Sequence, residues 1–418
     1  MNEIKKIPPR DIGKFIDIMA DAYPGLPMST EEDKRRIRER LALRSKDKRI
    51  SYWAMYEGKE MLGALALYDY TMNLFGHKVL AGGGGSLAVG LIHKKEHVAR
   101  DIMRFYFRHY RRQNAPFAVL WPFRPDFYKA MGCGLGPKGH VYKVKPPDLP
   151  TGGSKKHIRI LGKSDMKALN DCYNRQVDRV TGMIEETLVH RKIRYELAKT
   201  VKYVGYENNG RIEGYILFSF ERGKATNFVD NYIVVHELIY EHPEALLELM
   251  TFLRTQADQI NRIIFHTNDD DFHYLLKDPR NDSGNLMQPV YHESHISGVG
   301  IMFRVLNTRQ VFEILGDHDF GGQTVRLKLT ATDSFLKEND GSLVIYFSDG
   351  KPEIKTKKSP HDVELKLDIS DFSSLLMGAV GLKSLVKYGM AEVSGPEYID
   401  LLHKLFATEQ KPVCLTSF

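Results

Sequence analysis

The chain has 418 residues, 42% of them hydrophobic and 27% charged, a core-forming composition that excludes a wholly disordered or fibrous protein. Its length predicts two or three domains. Sixty lysines and arginines against 53 aspartates and glutamates leave a formal charge of +7, which permits polyanionic partners without demanding them.

In chain order, residues 11–23 read as a helix, with Ile12, Phe15, Ile16, Ile18 and Met19 at helical spacing. Ser29 or Thr30 is positioned to cap a charged helix that runs to Lys46. Residues 51–56 and 61–70 read as strands around the turn Glu57-Gly58-Lys59, followed by a strand at 85–89 and a helix at 99–112. A short strand at 117–122 and a helical turn at 124–131 come next. Pro146, Pro147 and Pro150, then Gly152-Gly153-Ser154, interrupt regular structure and predict a domain boundary near 150.

The region 151–289 alternates again. Helices are expected at 164–177 and 186–197, and strands at 202–207 and 212–220 flank Asn208-Asn209-Gly210, a hairpin signal. A strand at 231–238, a long helix at 243–259 opened by Pro243, and a strand at 263–266 complete it. This repeats the order of the first region, which predicts two related α/β units. The region 290–418 differs: strands at 300–305, 324–330, 341–347 and 363–369 and helical pieces at 371–377, 380–388 and 396–405 give an α+β pattern.

The segment AGGGGSLAVGLIHKKEHVARDIMRFYF, residues 81–107, joins a strand to a basic turn and an amphipathic helix. Such a turn aims backbone N–H groups at phosphate oxygens, with Lys94, Lys95 and Arg100 as assisting cations. A solvated charge run after a glycine-rich connection is the alternative. The glycines precede the predicted strand, so they form no dinucleotide fingerprint, and GxxxxGK[ST] is absent. Cys133, Cys172 and Cys414 are far apart, which argues against a disulfide framework or a zinc knuckle and fits a reducing compartment. The charged N-terminus lacks a signal-peptide core, and no run approaches the ~20 apolar residues of a membrane helix. A cytoplasmic protein without membrane or nucleic-acid partners is expected. The run Asp269-Asp270-Asp271 invites a metal, but no ligand spacing supports one.

The 81–107 segment resembles the acyl-coenzyme A motif of the GCN5-related N-acetyltransferases. Lys-Lys-Glu-His-Val-Ala, residues 94–99, occupies the slot of that family's R/Q-x-x-G-x-G/A. FAVLWPFRPDFYKAMGCG, residues 117–134, resembles the enhanced-intracellular-survival subgroup, as do residues 234–259 and 371–393. The resemblance covers the whole chain. It implies an α/β and α+β protein: tandem acetyltransferase-like domains followed by a sterol-carrier-like domain. It places a catalytic domain at 1–150, a degenerate copy at 151–289 and the carrier-like domain, bearing a catalytic C-terminus, at 290–418.

It further implies acetyl-coenzyme A as cosubstrate, no metal, and direct transfer to a small-molecule amine, possible examples being aminoglycosides and polyamines, or to a lysine side chain. A homo-hexamer is implied as well. Leu87, Ala88 and Val89 fall on the strand expected to pair with pantetheine. Lys94, Lys95, Glu96, His97, Val98, Ala99 and Arg100 fall on the phosphate turn, with Phe123 and Arg124 beside the cofactor. Tyr128 matches the general acid, and the carboxylate of Phe418 matches the base. Two positions depart from the pattern: His97 stands for the first glycine and Lys94 for the arginine or glutamine. A Cβ restricts the backbone freedom glycine has. A non-catalytic acyl-coenzyme A or metabolite-binding protein, and a lipid-binding module using the final region, are the alternatives.

Overall fold

The computed structural model describes residues 2–28, 30–223, 226–416 and 418. The chain divides into two compact units, one of Met1–Gly136, Val180–Ile184 and Gly300–Phe418, the other of Pro137–Arg179 and Glu185–Val299.

In the first unit, seven strands form one sheet in the order Glu3–Lys6, Ile50–Glu57, Glu60–Leu74, His77–Val89, Phe117–Leu120, Met302–Val305 and Gly134–Leu135. Alternation along Glu60–Leu74 separates two cores. Ala64, Ala66 and Tyr68 join Phe15, Ile16 and Met19 of the helix Ile12–Ala22, whereas Leu65 and Leu67 join Ile102, Tyr106 and Phe107 of the helix Val98–Arg112. The helix Glu31–Arg44 starts at Thr30, whose hydroxyl accepts the Asp33 N–H at 3.1 Å. The alternative cap, Ser29, lies outside the described residues.

The four glycines 82–85 lie within the strand His77–Val89 rather than before it. Their lack of side chains admits aromatic rings against the backbone. A Cβ on Gly84 would stand 2.6 Å from the Tyr106 ring and one on Gly83 2.5 Å from Tyr70, while one on Gly82 would enter the Tyr110 ring. The run is therefore a packing device, and the strand begins eight residues earlier than its sequence suggests because glycine carries a weak strand signal.

The same unit holds a five-stranded sheet in the order Lys351–Lys355, Gly341–Ser348, Val325–Thr332, Val363–Asp368 and Ala391–Val393. Phe312, Phe372 and Leu375 from this region share one core with Phe303 of the first sheet. The strand expected to open the third region, observed as Met302–Val305, is fully buried in the first sheet, where it pairs with Phe117–Leu120 and Gly134–Leu135.

In the second unit, the sheet order is His295–Val299, Lys138–Val144, Ile260–Thr267, Asn231–Tyr240, Arg211–Arg222, Lys202–Asn208 and Ile158–Ile160. The predicted hairpin closes through Asn209 and Gly210, both at positive φ, which matches strand twist. Each sheet has one parallel pair, His77–Val89 with Phe117–Leu120 and Asn231–Tyr240 with Ile260–Thr267, beside an antiparallel pair carrying a register shift. The architecture is thus repeated.

Sheet membership changes at Gly136 rather than near 150, because Lys138–Val144 pairs with Ile260–Thr267. The Pro-rich segment is a corner inside the second unit. Leu149 is buried, its carbonyl accepts Arg254 Nη1 at 2.9 Å, and the Asp148 carbonyl accepts the Lys277 N–H at 2.8 Å. Proline and glycine marked a turn there, and turns serve interiors of units as well as their borders.

Candidate functional site

The parallel pairing of His77–Val89 with Phe117–Leu120 runs from Ala81↔Phe117 to Gly84↔Leu120 and then stops, while the first strand continues to Val89. On its other side that strand stays paired, with Ala88 opposite Ala64 and Val89 opposite Gly63, after a bulge that holds Ser86 at φ 50°. The Gly90 N–H donates to the Leu62 carbonyl. Alternation therefore turns the Val89 N–H and C=O toward the gap. The Leu87 carbonyl is already engaged, accepting the Tyr23 hydroxyl at 2.5 Å. Burial pushes the Tyr23 phenol up to about 12. Just before the gap the Tyr106 hydroxyl lies 2.7 and 2.9 Å from Gly82 O and Val119 O, sharing its one proton between them and bridging the two strands.

Past the gap comes the basic turn. His97 caps the helix Val98–Arg112 in the left-handed conformation, φ 64° and ψ 3°, and Lys95 has φ 70°. The turn thus keeps a glycine-type backbone at His97, at a cost of roughly 1 kcal/mol for the non-glycine residue. The first N–H groups of the helix have no intrahelical acceptor, and the helix dipole adds partial positive charge there. A cavity of about 530 Å³ opens at this end, bordered by Val89, Lys94, Lys95, His97, Arg100 and Phe127 among others. Lys94, Lys95 and Arg100 form no ion pair among the described residues. His93 does: its two ring nitrogens meet Glu60 and Glu96, each at 3.0 Å, and those hydrogen bonds raise its pKa. With both ring nitrogens engaged by carboxylates, His93 is turned away from a phosphate-binding role.

A second, smaller cavity of about 80 Å³ lies at the divergence of the strands, lined by Tyr23, Gly85, Leu87, Trp121, Phe123 and Tyr128 among others. Tyr128 sits on the helix Pro125–Lys129 and is 4% exposed, with the rings of Phe123 and Phe127 at 5.6 and 5.2 Å. Burial, and then Tyr23 and Cys133, raise its pKa far above that of a free phenol. Burial likewise pushes the nearby Cys133 thiol up to about 12, which leaves about one part in 10⁵ as thiolate at neutral pH and makes it a poor nucleophile.

The C-terminal segment reaches the same place. The Val413 N–H donates to Thr181 O at 3.0 Å, Cys414 is buried, and Trp121 Nε1 donates to Thr416 O at 3.0 Å. The Phe418 ring packs 5.4 Å from Tyr68 and 5.1 Å from Tyr70. Its carboxyl carbon would be 3.3 Å from a Cβ on Gly85, the last glycine before the bulge.

Of the residues expected from sequence, Val89, Lys94, Lys95, His97, Val98, Ala99 and Arg100 border the larger cavity. Leu87, Phe123 and Tyr128 border the smaller one. Ala88, Glu96 and Arg124 border neither: Ala88 is buried in the sheet, Glu96 holds His93, and Arg124 pairs with Asp126 at 2.5 Å. Sequence reasoning missed Tyr23, Trp121, Phe127 and Phe335. The last comes from the third region and borders the larger cavity; spacing along the chain carries no signal for such a distant contribution.

Among the described residues, the second unit shows no counterpart turn. Its matching strand is followed by His242, which caps the helix Pro243–Arg254 by accepting the Ala245 N–H. Two acids of this stretch, Glu237 and Glu241, are neutralised by arginines. Glu241 pairs with Arg175 and Arg211, and Glu237 is 2% exposed between Arg191, Arg194 and the Tyr215 hydroxyl. Burial works against the Glu237 charge, yet the two guanidiniums outweigh it and hold the carboxyl well below its usual range. In the acidic run 269–271, Asp270 meets His140 at 2.7 Å and Asp269 accepts the Asp271 N–H.

An acetyltransferase (GNAT) domain family matches residues 3–136, a second acetyltransferase (GNAT) domain family matches 176–304, and a sterol carrier protein domain family matches 307–415. No curated protein sequence matches the chain. Among solved structures, a GCN5-related N-acetyltransferase from Anabaena variabilis superposes with a TM-score of 0.82 at 17% identity, covering 100% of both chains. A GCN5-related N-acetyltransferase from Kribbella flavida gives 0.77 at 18% identity, covering 100% of this chain and 98% of that one. Eis1 from Mycobacterium abscessus gives 0.77 at 16% identity, covering 100% of both. At these identities the likeness speaks for the fold, and the fold of this chain is a tandem pair of GNAT-like α/β domains followed by a sterol-carrier-like domain.

Proposed function

We propose that the chain is an acetyl-coenzyme A-dependent N-acetyltransferase that passes acetyl directly to an amine in a ternary complex. One observation carries this reading: a strand edge whose parallel pairing stops at Gly84 leads from buried Tyr128 to a cavity at a helix N-terminus, bordered by Lys94, Lys95 and Arg100, which form no ion pair among the described residues. The match of residues 3–136 to an acetyltransferase domain family supports it.

Acetyl-coenzyme A supplies the thioester carbonyl and a thiolate leaving group. The Val89 backbone binds an amide-bearing arm, and Lys94, Lys95, Arg100 and the free N–H groups after His97 bind phosphates. Attack by a neutral amine forms the C–N bond as the C–S bond breaks. The Phe418 carboxylate takes the amine proton, directly or through water. Tyr128 stays protonated across physiological pH, so its hydroxyl donates to the departing sulfur, which leaves as the thiol.

The acceptor class is a small-molecule amine, with aminoglycosides and other polyamines the leading candidates, or a lysine side chain. A cytoplasmic homo-hexamer is part of the same proposal. Exposed Leu286, Met287, Val290, Tyr291 and Ile296 on the second unit supply apolar surface for association. Light scattering over a range of concentrations tests it, and a monomer throughout removes it.

The test of activity is thiol release with a panel of aminoglycosides, polyamines and lysine peptides, with mass spectrometry to separate transfer from thioester hydrolysis. Tyr128→Phe should lower transfer by about 10²-fold or more while coenzyme A still binds. No binding of coenzyme A or its acetyl form at millimolar concentration would end the reading. Binding without transfer to any amine would favour a non-catalytic carrier of the same ligand.

A further inference from the structure

The cavity at the basic turn has one wall that the acetyltransferase domain itself does not provide. Phe335 follows the strand Val325–Thr332 of the five-stranded sheet, is 5% exposed, and borders that cavity. Its ring sits over one stripe of the helix Val98–Arg112. The Arg104 guanidinium lies 4.8 Å from the ring centroid, that of Arg100 6.0 Å away, and the Phe107 ring meets it edge-on at 5.9 Å. Positions 100, 104 and 107 share a helix face. Arg104 is paired with Asp101 at 2.9 Å, whereas Arg100 forms no ion pair among the described residues.

The turn that presents Phe335 is unusually fixed. Asp333 receives both hydrogen bonds of Arg304 Nη2, at 3.0 and 2.8 Å, and both side chains are completely buried. The same carboxylate accepts the Phe335 and Leu336 N–H groups at 3.1 and 2.8 Å. Two residues on, Glu338 receives Arg108 Nε at 2.8 Å, and its carbonyl accepts Arg111 Nη2 at 3.0 Å. A buried ion pair of this kind does little for net stability compared with apolar packing, but it does hold groups in one arrangement. Here the arrangement places an aromatic ring beside a cation that no acid among the described residues pairs with.

We propose that Phe335 is a positioning residue of the phosphate end of the cofactor site. Its ring holds the Arg100 guanidinium toward the cavity by a cation–π contact, so the sterol-carrier-like domain takes part in binding the phosphates of coenzyme A. This rests on the cofactor reading above. An arginine beside an aromatic face loses rotamer freedom before the ligand arrives, and a polyanion then meets a charge already in place.

The experiment is calorimetry of coenzyme A, and of pantetheine, which lacks every phosphate, with the full-length wild type, Phe335→Leu, Phe335→Tyr, Arg100→Gln and the double variant Phe335→Leu/Arg100→Gln. Phe335→Leu keeps apolar packing and should weaken coenzyme A by about two- to fivefold. Phe335→Tyr should restore the affinity, and pantetheine should bind all variants alike. The two single effects should not add in the double variant, because Phe335 acts through Arg100. Additive effects, equal weakening of pantetheine, or unchanged coenzyme A affinity in Phe335→Leu would each overturn the proposal. If the wild type binds no coenzyme A, the cofactor reading itself falls and this proposal with it. Circular dichroism of each variant keeps loss of fold apart from loss of binding.

Discussion

Lengthening the chain by Gly-Ser beyond Phe418 separates the terminal carboxyl from the side chains that dock the tail. The Phe418 ring keeps its contacts with Tyr68 and Tyr70, and Thr416 O keeps Trp121 Nε1. What changes is the group against Gly85: a charged carboxylate becomes a neutral amide. If that carboxylate takes the amine proton, single-turnover transfer should fall by about 10²–10⁴-fold. Coenzyme A affinity should hold, since residues 94–100 are untouched. Two companions separate charge from position. Phe418→Ala keeps the carboxylate but removes two aromatic contacts worth roughly 0.5–1.5 kcal/mol each, which lowers the docked population of the tail. Gly85→Ala brings a Cβ to 3.3 Å from the carboxyl carbon and 3.4 Å from its oxygen, so the carboxyl must retreat by a few tenths of an ångström. Misplacement by about 1 Å costs about 10²-fold, so this smaller displacement should cost severalfold. The assay is rapid-quench transfer to an accepted amine, with cofactor binding measured in parallel. Wild-type transfer by the extended chain would remove the Phe418 carboxylate from the reaction.

Three further outcomes are expected. His97→Gly should preserve the turn and raise stability by up to about 1 kcal/mol in urea denaturation, because the left-handed backbone costs glycine nothing; a weaker coenzyme A affinity instead would mean that the imidazole itself touches the ligand. The Glu60 and Glu96 contacts raise the His93 pKa from 6.5, so their support of the turn is complete below 6.5 and fades as pH climbs through the folded value; an NMR titration should show this midpoint drop in Glu60→Gln. Glu237 is held below its ordinary 4.5, so its support of the second unit is complete above 4.5 and fades as pH falls toward the folded value. Glu237→Gln leaves two buried-side guanidiniums short of a counter-charge and should cost about 3–5 kcal/mol at neutral pH; thermal unfolding of the two forms indistinguishable at pH 7 would contradict that account.

The local signals were enough for most elements and for the turn. The helical spacing before Tyr23, the Asn209-Gly210 hairpin and the strand-to-helix passage through Lys94–Arg100 are statements about neighbours in sequence, where backbone preference and periodicity act. The repeated order of elements was legible for the same reason. Tertiary structure decided what those signals leave open. It threaded the glycine run into a central strand, because only residues without a Cβ let Tyr70, Tyr106 and Tyr110 lie against the backbone there. It gave Lys138–Val144 to the second sheet and Met302–Val305 to the first, since a strand's partner is chosen by burial and register over the whole chain. It turned Glu96 onto His93 and Arg124 onto Asp126, side-chain pairings that a motif slot does not encode. And it brought Tyr128, Phe418 and Phe335, residues distant in sequence, to the C-terminal half of one strand, a meeting that depends on packing against the two faces of the sheet rather than on any local preference.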